Sequence, residues 1–204
     1  MDVIYEDENV LVFDKPPGVI SDNIPLRVHR LDKDTSGVLL VAKNEKSLKF
    51  LQEQFKERRV EKKYISLATG DIKTGAGIIE TLLGRSPKDK RKQRAFLAQE
   101  PRAENKRAAV TEYKVIERFP AFTLLEVTPK TGRKHQIRAH LAHIGHPIAG
   151  DKLYGFKNQP CPAGLKRQFL HANYIKITLP SGEIKEFISP LPKDLKLVLS
   201  SLAH

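Results

Sequence analysis

Short apolar runs separated by turn residues dominate the pattern along this chain of 204 residues. Residues 3–13 carry two such runs around an acidic turn at 7–9, which is typical of a β-hairpin. Residues 38–43 (VLLVAK) form a run that is too short and too β-branched for a helix, so a buried strand is predicted there. Further strands are predicted for 60–69, for 109–128 as a pair around the turn at 119–120, and for the hairpin formed by 174–179 and 183–188.

Apolar residues recur at helical spacing in three segments, which are 44–59, 131–144 and the C-terminal run from residue 190. Asn44 can cap the first helix, and Gly145 falls where the second helix would end. The strands outnumber the helices and mostly neighbour one another along the chain as hairpins. This order favours an α+β protein with a mainly antiparallel sheet over a doubly wound parallel sheet.

The composition narrows the class of protein. Cys161 is the only cysteine, which excludes a scaffold held by internal disulfides. The longest stretch without a charged residue is Ala139–Gly150, too short to cross a bilayer. The acidic N-terminus lacks the basic region of a signal peptide. We therefore expect a cytoplasmic protein without a membrane partner, whose net charge of +12 points to a polyanion.

The positive charge is concentrated in one segment, Arg85–Arg107, which we call the basic arm. It holds nine basic residues against three acidic ones, and so carries half of the net charge of +12. Its hydrophobic periodicity is weak, and two prolines interrupt it. We expect a projecting loop or irregular hairpin outside the core that approaches phosphates. A solvated loop without a partner is the alternative interpretation.

The segment His29–Gly37 (HRLDKDTSG) is dense in charge directly before the predicted buried strand. Asp32 has Arg30 and Lys33 as close neighbours, and nearby cations favour the ionised form of a carboxyl group. An ionised aspartate of this kind is a nucleophile, a metal ligand, a salt-bridge partner or a simple turn residue. The residues alone leave these four roles open.

A second dense segment, 131–140 (TGRKHQIRAH), contains three cations and a candidate helix. On a helix that begins at Thr131, Lys134 and Arg138 lie one turn apart. Arg138 follows the core-facing position Ile137, so it requires a carboxylate partner if it is buried. Asp32 is an obvious candidate for that partner.

The chain also has a cluster of histidines, but the signatures of nucleotide-phosphate loops and zinc ribbons are absent. A metal site formed by the histidines is one interpretation, and hydrogen-bonded or half-exposed histidines near a basic site are the favoured one. The cluster comprises His135, His140, His143 and His146.

Together these segments resemble the RluA-type family of pseudouridine synthases. The motifs responsible are HRLDKDTSGVLLVAK at 29–43 and TGRKHQIRAH at 131–140. The shorter motifs KPPG, KKY, GDKLYG and LHA fall in the family's order, as does the final FISPLPKDL. The resemblance therefore covers almost the whole chain.

The resemblance implies roles for individual residues. Asp32 matches the catalytic aspartate, and Tyr64 matches the tyrosine that packs on the target base and can move the proton at its C5 atom. Arg138 matches the arginine that pairs with the aspartate, and Arg30 matches the residue that takes the place of the flipped nucleotide. Further RNA contacts are expected from His29, Arg133, Lys134, His135, Lys90, Arg91 and Lys92.

The resemblance also implies a fold and a partner. The family fold is a mixed, mainly antiparallel sheet in two lobes, flanked by a few helices, around a basic catalytic cleft. We expect one catalytic domain over residues 1–204, without the S4-type RNA-binding domain of many relatives. The partner is a structured ribosomal or transfer RNA, the acting form is a monomer, and neither a cofactor nor a metal is required.

The reaction implied is the isomerisation of uridine in RNA to pseudouridine on a flipped-out base. Asp32 can attack C1′ of the ribose, attack C6 of the base, or remove the C2′ proton, and the sequence leaves these routes open. Two alternatives belong to other classes. One is a noncatalytic RNA-binding or RNA-folding protein on the same fold, and the other is a metal-dependent hydrolase that uses the histidines.

Overall fold

The computed structural model describes residues 1–202 and contains ten strands and three α-helices within them. The strands are β1 (Asp2–Glu6), β2 (Val10–Lys15), β3 (Ser36–Ala42), β4 (Glu61–Thr69), β5 (Ala76–Arg85), β6 (Gln93–Phe96), β7 (Arg107–Phe119), β8 (Phe122–Pro129), β9 (Leu170–Thr178) and β10 (Ile184–Ile188). The helices are α1 (Glu45–Lys56), α2 (Gln136–His143) and α3 (Lys193–Leu202). None of these helices is long and apolar enough to cross a membrane.

The chain forms two compact units. The first unit combines Met1–Tyr64 with Leu170–Pro192, and the second combines Ile65–Phe169 with the C-terminal residues from Lys193. Strand β4 begins in the first unit and ends in the second.

In the first unit, β1, β2 and β3 pair in antiparallel order, β3 runs parallel to β9, and β10 pairs antiparallel with β9. Every residue of β3 is buried, as its continuous apolar run predicts. Helix α1 contributes Leu51 to the same core as Val12, Leu40 and Ile175. The helix begins where expected, because the side-chain oxygen of Asn44 accepts a hydrogen bond from the backbone N–H of Ser47.

In the second unit, the strands follow the order β4-β8-β7-β5-β6, and the pairs β8–β7, β7–β5 and β5–β6 are antiparallel. Helix α2 is almost entirely buried. Its residue Ala139 packs in a cluster with Leu83 of β5, Ala95 of β6 and Ala109 of β7. Helix α3 is held in this unit by an ion pair of 2.8 Å between Asp194 and the largely buried Arg167.

The structure confirms the α+β class with a mainly antiparallel sheet. The hairpin at the N-terminus, the buried strand β3, helix α1, the β7–β8 pair, the β9–β10 hairpin and the terminal helix all form where the pattern predicts them. The prediction that a helix begins at Thr131 is wrong, because α2 begins at Gln136 and His135 adopts a left-handed backbone with φ of 54°.

The basic arm agrees with its predicted structure in part. The predicted hairpin is confirmed, since residues 93–96 form β6 and pair antiparallel with β5. The expectation that the arm lies outside the core is wrong for Ala95 and Phe96, which are buried. Strand β5 (AGIIETLLGR) is not predicted from the sequence, because apolar residues lie on both of its faces and the apolar–polar alternation of a half-buried strand is therefore absent.

Candidate active site

The loop that carries Asp32 is held from its N-terminal side by a buried serine. The Ser21 hydroxyl donates to the carbonyl oxygen of Leu31 (2.9 Å) and accepts from the N–H of the same residue (3.2 Å). The carbonyl oxygen of Asp32 then accepts from the N–H of Thr35 at 3.0 Å, which closes a tight turn. The half-buried Asp32 side chain therefore projects from backbone that is fixed on both sides.

A buried lysine holds the other side of this loop. The ammonium group of Lys15, whose side chain is fully buried, donates to the carbonyl oxygens of Pro16 (2.9 Å), Val19 (3.1 Å) and Lys33 (3.1 Å). The Lys33 carbonyl also accepts from the N–H of Gly18 at 2.8 Å. The KPPG motif thus joins the residue next to Asp32 to the end of β2.

The end of the loop is fitted closely against β9. Gly37 has a φ of +119°, and a Cβ atom there would stand 2.1 Å from the carbonyl oxygen of Ala172. Only glycine fits this approach. Beside it, the Ser36 hydroxyl lies 3.0 Å from Nδ1 of the buried His171. The Ser-Gly pair of the first motif and the LHA motif therefore pack directly against each other.

Tyr64 lies in the same unit as Asp32. Its side chain packs against a small cluster of Leu31, Leu39 and Ala172. Burial, together with the negative charge of Asp32, raises the pKa of the Tyr64 phenol above its ordinary value. The phenol therefore stays protonated at neutral pH, and it presents an aromatic face and an O–H donor near the Asp32 carboxylate.

His29 and Arg30 have different surroundings although they are adjacent. The His29 ring stacks on Phe55 of α1 with centroids 4.9 Å apart, and its Nε2 accepts from the N–H of Leu40 at 3.2 Å. Burial, with the positive charge of Lys62, lowers the pKa of His29 to about 3, so the ring is neutral. Arg30 pairs with Asp22 at 3.3 Å, and half of its side chain is exposed at the surface beside the Asp32 loop.

In the second unit, Arg138 forms a buried, two-point ion pair with Asp151. The Arg138 Nε donates to Oδ2 at 2.6 Å and its Nη2 donates to Oδ1 at 2.9 Å. Burial opposes ionisation of Asp151, but the hydrogen bond from Arg138 and its positive charge outweigh that effect and lower the pKa of Asp151. The backbone N–H groups of Leu153 and Tyr154 also donate to this carboxylate, at 2.9 and 3.0 Å.

Asp151 is not predicted from the sequence as the partner of Arg138. It stands in the GDKLYG motif, 13 residues after Arg138, and only its position in a motif of small and aromatic residues could have marked it. The need of Arg138 for a carboxylate partner is confirmed by this pair. The pairing of Arg138 with Asp32 remains a prediction.

Arg133, Lys134 and His135 lie in the loop before α2 and not on the helix. The buried side chain of Gln136 organises this loop, since its Oε1 accepts from the hydroxyl of Thr131 (2.7 Å) and from the N–H of Arg133 (2.9 Å). Arg133 Nε also donates to the carbonyl oxygen of Ala108 at 3.1 Å. The cations therefore stand near the surface of the second unit, next to the start of α2.

Lys90, Arg91 and Lys92 form the turn between β5 and β6. Arg91 is exposed, and Lys92 is half-buried. Arg91 donates to both carboxylate oxygens of Asp89, at 3.0 and 2.8 Å. Hydrogen bonds from Arg91 hold the pKa of Asp89 at about 2. The tip of the basic arm is thus a compact, mainly positive turn.

Three of the four clustered histidines, His135, His140 and His146, are hydrogen-bonded, and His143 is exposed. Both ring nitrogens of the fully buried His140 contact hydroxyl groups, Thr81 at 3.0 Å and Thr111 at 2.8 Å. Burial, with the charge of His143, lowers the pKa of His140 to about 4. His146 lies 2.9 Å from the carbonyl oxygen of Thr69. Within residues 1–202, no three histidine, cysteine or acidic side chains group as metal ligands.

Comparison with known proteins identifies relatives over almost the whole chain. A ribosomal large subunit pseudouridine synthase D of Borreliella burgdorferi is 36% identical over 98% of this chain and 68% of its own length. A ribosomal large subunit pseudouridine synthase C of Vibrio vulnificus is 38% identical over 98% of this chain and 69% of its own length. The chain spans about two thirds of these relatives.

Solved structures agree with the sequence comparison. The human RNA pseudouridylate synthase domain containing 1 superposes with a TM-score of 0.79 at 28% identity, over 98% of this chain and 94% of that chain. The family model for RNA pseudouridylate synthase matches residues 21–143, which include the Asp32 loop and helix α2. The chain therefore belongs to the RNA pseudouridylate synthase family and is an isomerase that converts uridine in RNA to pseudouridine.

Proposed function

We propose that this isomerase acts on ribosomal RNA of the large subunit, with Asp32 as its catalytic carboxylate. The observation that carries the assignment of Asp32 is its placement. The carboxylate lies close enough to Tyr64 for its charge to raise the phenol pKa. Its backbone is fixed through Leu31 and Lys33.

The reaction breaks the N1–C1′ bond of uridine and forms a C1′–C5 bond to the same uracil, so atoms balance without a co-reactant. The detached base must turn within the site, which requires a base that has been flipped from its stack. In the proposed mechanism Asp32 acts on C1′, on C6 or on the C2′ proton. The C5 proton leaves and N1 gains a proton in the product.

Tyr64 contributes in two ways under this proposal. Its ring offers a stacking face for the flipped uracil, since aromatic side chains pack well on bases. Its phenol, protonated at neutral pH, donates a hydrogen bond to an oxygen of the base. We assign to Arg138 the charge that keeps the reacting carboxylate ionised, in accordance with the family resemblance, and to Arg30 the place of the flipped nucleotide.

RNA binding is assigned to the cations around these residues. Arg91 is exposed at the tip of the basic arm, beside Lys90 and Lys92, and Lys134 stands in the loop before α2. Such side chains displace counterions from phosphates and position the RNA without reading its bases. We expect a cytoplasmic monomer, and sedimentation of the purified chain would test its oligomeric state.

The test of the catalytic assignment is Asp32→Asn, with Asp34→Asn as the matched control in the same loop. Pseudouridine in treated RNA is located by carbodiimide mapping. Asp32→Asn is expected to abolish pseudouridine formation with an unchanged fold, because the amide removes the charge and keeps the shape. Turnover above a few per cent of wild type in Asp32→Asn would refute the assignment.

The test of the substrate is a pseudouridine map of total RNA from strains with and without this gene. We expect one or more sites in large-subunit ribosomal RNA to disappear, as the names of the relatives suggest. Disappearance of a site in transfer RNA alone would refute the ribosomal assignment and keep the isomerase. Restoration of the site by the wild-type gene, and not by one that carries Asp32→Asn, is the control.

A further inference from the structure

Tyr154, in the GDKLYG motif, stands at a junction in the second unit that the roles above do not use. Its side chain is 6% exposed, and its hydroxyl accepts a 2.6 Å hydrogen bond from the backbone N–H of Gln93. The same hydroxyl lies 3.0 Å from Nδ1 of His135. A buried phenol with two polar contacts has a fixed ring position.

The ring of Tyr154 lies beside the guanidinium of Arg138. The Arg138 Cζ is 5.0 Å from the ring centroid, within the range of a cation–π contact. Asp151 accepts hydrogen bonds from two nitrogens of the same guanidinium. The backbone N–H of Tyr154 also donates to the Asp151 carboxylate at 3.0 Å. One residue therefore contacts both members of the buried pair.

We propose that Tyr154 is a positioning residue for the reaction. The ring of Tyr154 orients Arg138, and the hydrogen bonds of the Tyr154 hydroxyl hold that ring in place. This inference rests on the proposed role of Arg138 in catalysis. Arginine needs such a support because its planar guanidinium gives direction only when the plane is fixed. The ion pair with Asp151 fixes two guanidinium nitrogens, and the Tyr154 ring packs beside the guanidinium carbon.

The hydroxyl also connects Arg138 to the basic arm. Gln93 is the first residue of β6 and directly follows Lys92, whose ammonium lies 6.0 Å from the Tyr154 ring. The position of the ring, and with it that of the guanidinium, thus depends on a residue next to the tip of the basic arm. Removing the Tyr154 hydroxyl would release this connection and leave the arm's charges unchanged.

The experiment compares Tyr154→Phe and Tyr154→Leu with wild type, with Tyr113→Phe as a matched control. Tyr113 also has a hydrogen-bonded hydroxyl, 3.0 Å from that of Thr74, but neither Arg138 nor Asp151 is its partner. The single-turnover rate constant is measured on a uridine-containing target RNA with saturating protein. The dissociation constant of the RNA is measured separately by titration.

We expect a graded decrease in the rate constant with an unchanged dissociation constant. Tyr154→Phe should slow the step about 3- to 10-fold, the effect of removing one hydrogen bond. Tyr154→Leu should slow it on the order of 30-fold, because the cation–π attraction is removed as well. Tyr113→Phe should match wild type. A variant that merely folds less completely would lower the active fraction and leave the rate constant at saturation unchanged.

Three results would overturn the inference. These are equal rate constants for wild type and both Tyr154 variants, a decrease confined to RNA affinity, and an equal decrease in Tyr113→Phe. The proposed function fails in a different way, because wild-type protein would then form no pseudouridine in the target RNA or Asp32→Asn would retain activity. The two failures are therefore distinguishable in one set of measurements.

Discussion

Replacing Asp151 by asparagine tests how much the buried ion pair with Arg138 contributes to stability. A second, exposed aspartate–arginine pair in the same chain serves as the control. Asparagine keeps one oxygen, which can accept from the N–H groups of Leu153 and Tyr154 as Oδ1 does now. The other oxygen, which accepts from Arg138 Nε at 2.6 Å, becomes an NH₂ group that opposes the donor. The change therefore leaves the Arg138 charge without its buried counterion.

The expected decrease in the free energy of unfolding is about 3–5 kcal/mol, the range measured when one partner of a buried ion pair is removed. For a chain of this size the decrease lowers the melting temperature by roughly 10 °C. Asp89→Asn is the matched control, because Asp89 is also held at two points by an arginine, Arg91. That arginine is exposed, so little change in stability is expected.

The dependence on pH gives a second signature of the same pair. The folded-state pKa of Asp151 lies below its ordinary value, so the unfolded chain binds the proton more readily. The stabilisation is fully present above the unfolded pKa of about 3.9 and decreases as the pH falls through the folded pKa. The difference in stability between wild type and Asp151→Asn should therefore shrink on acidification below about pH 4.

Urea unfolding, followed by circular dichroism at several pH values, measures both effects. The reasoning would be refuted if Asp151→Asn and Asp89→Asn lowered the unfolding free energy equally. It would also fail if the cost of Asp151→Asn stayed constant from neutral pH to the acid end of the transition.

Two further predictions concern the cations. Arg138→Ala should cost far more activity than Arg133→Ala, because it removes the charge proposed to keep the reacting carboxylate ionised and also leaves the buried Asp151 unpaired. Equal decreases in single-turnover assays would mean that the wrong arginine is assigned. Changing Lys90, Arg91 and Lys92 to alanine should weaken RNA binding and reduce its salt slope by about 0.7–0.9 for each phosphate that the protein no longer neutralises. Turnover at saturating RNA should stay near wild type, and titrations at two salt concentrations with an unchanged slope would make the arm's charge incidental.

The sequence predicts those elements of the fold whose signals are local. Strand β3 is a continuous apolar run, and Asn44 caps α1 with its own side chain, so both could be placed from neighbouring residues. The start of α2 could not. It is set by the buried Gln136, whose amide donates to the carbonyl oxygen of Val110 and to the hydroxyl of Thr111 in β7.

The candidate site shows the same division. The motif resemblance predicts site roles for Asp32 and Tyr64, and the structure places both in one unit, where burial and the charge of Asp32 raise the pKa of the tyrosine. The charge of Arg138 predicts a carboxylate partner but not which one. The carboxylate found next to it, Asp151, lies in the segment after α2, and its geometry depends on packing that no spacing rule encodes.

The close packing of Gly37 against Ala172 determines when, during synthesis, the loop that carries Asp32 can reach its final structure. Chains emerge from the ribosome N-terminus first, at about 5–20 residues per second, so β9 follows β3 by roughly 7 to 30 s. Throughout that interval the Asp32 segment exists without the strand against which Gly37 fits. A growing chain that has already exposed Asp32, Tyr64 and Arg138 is therefore not yet an assembled enzyme. Prematurely terminated products that end before β9 should be inactive toward RNA.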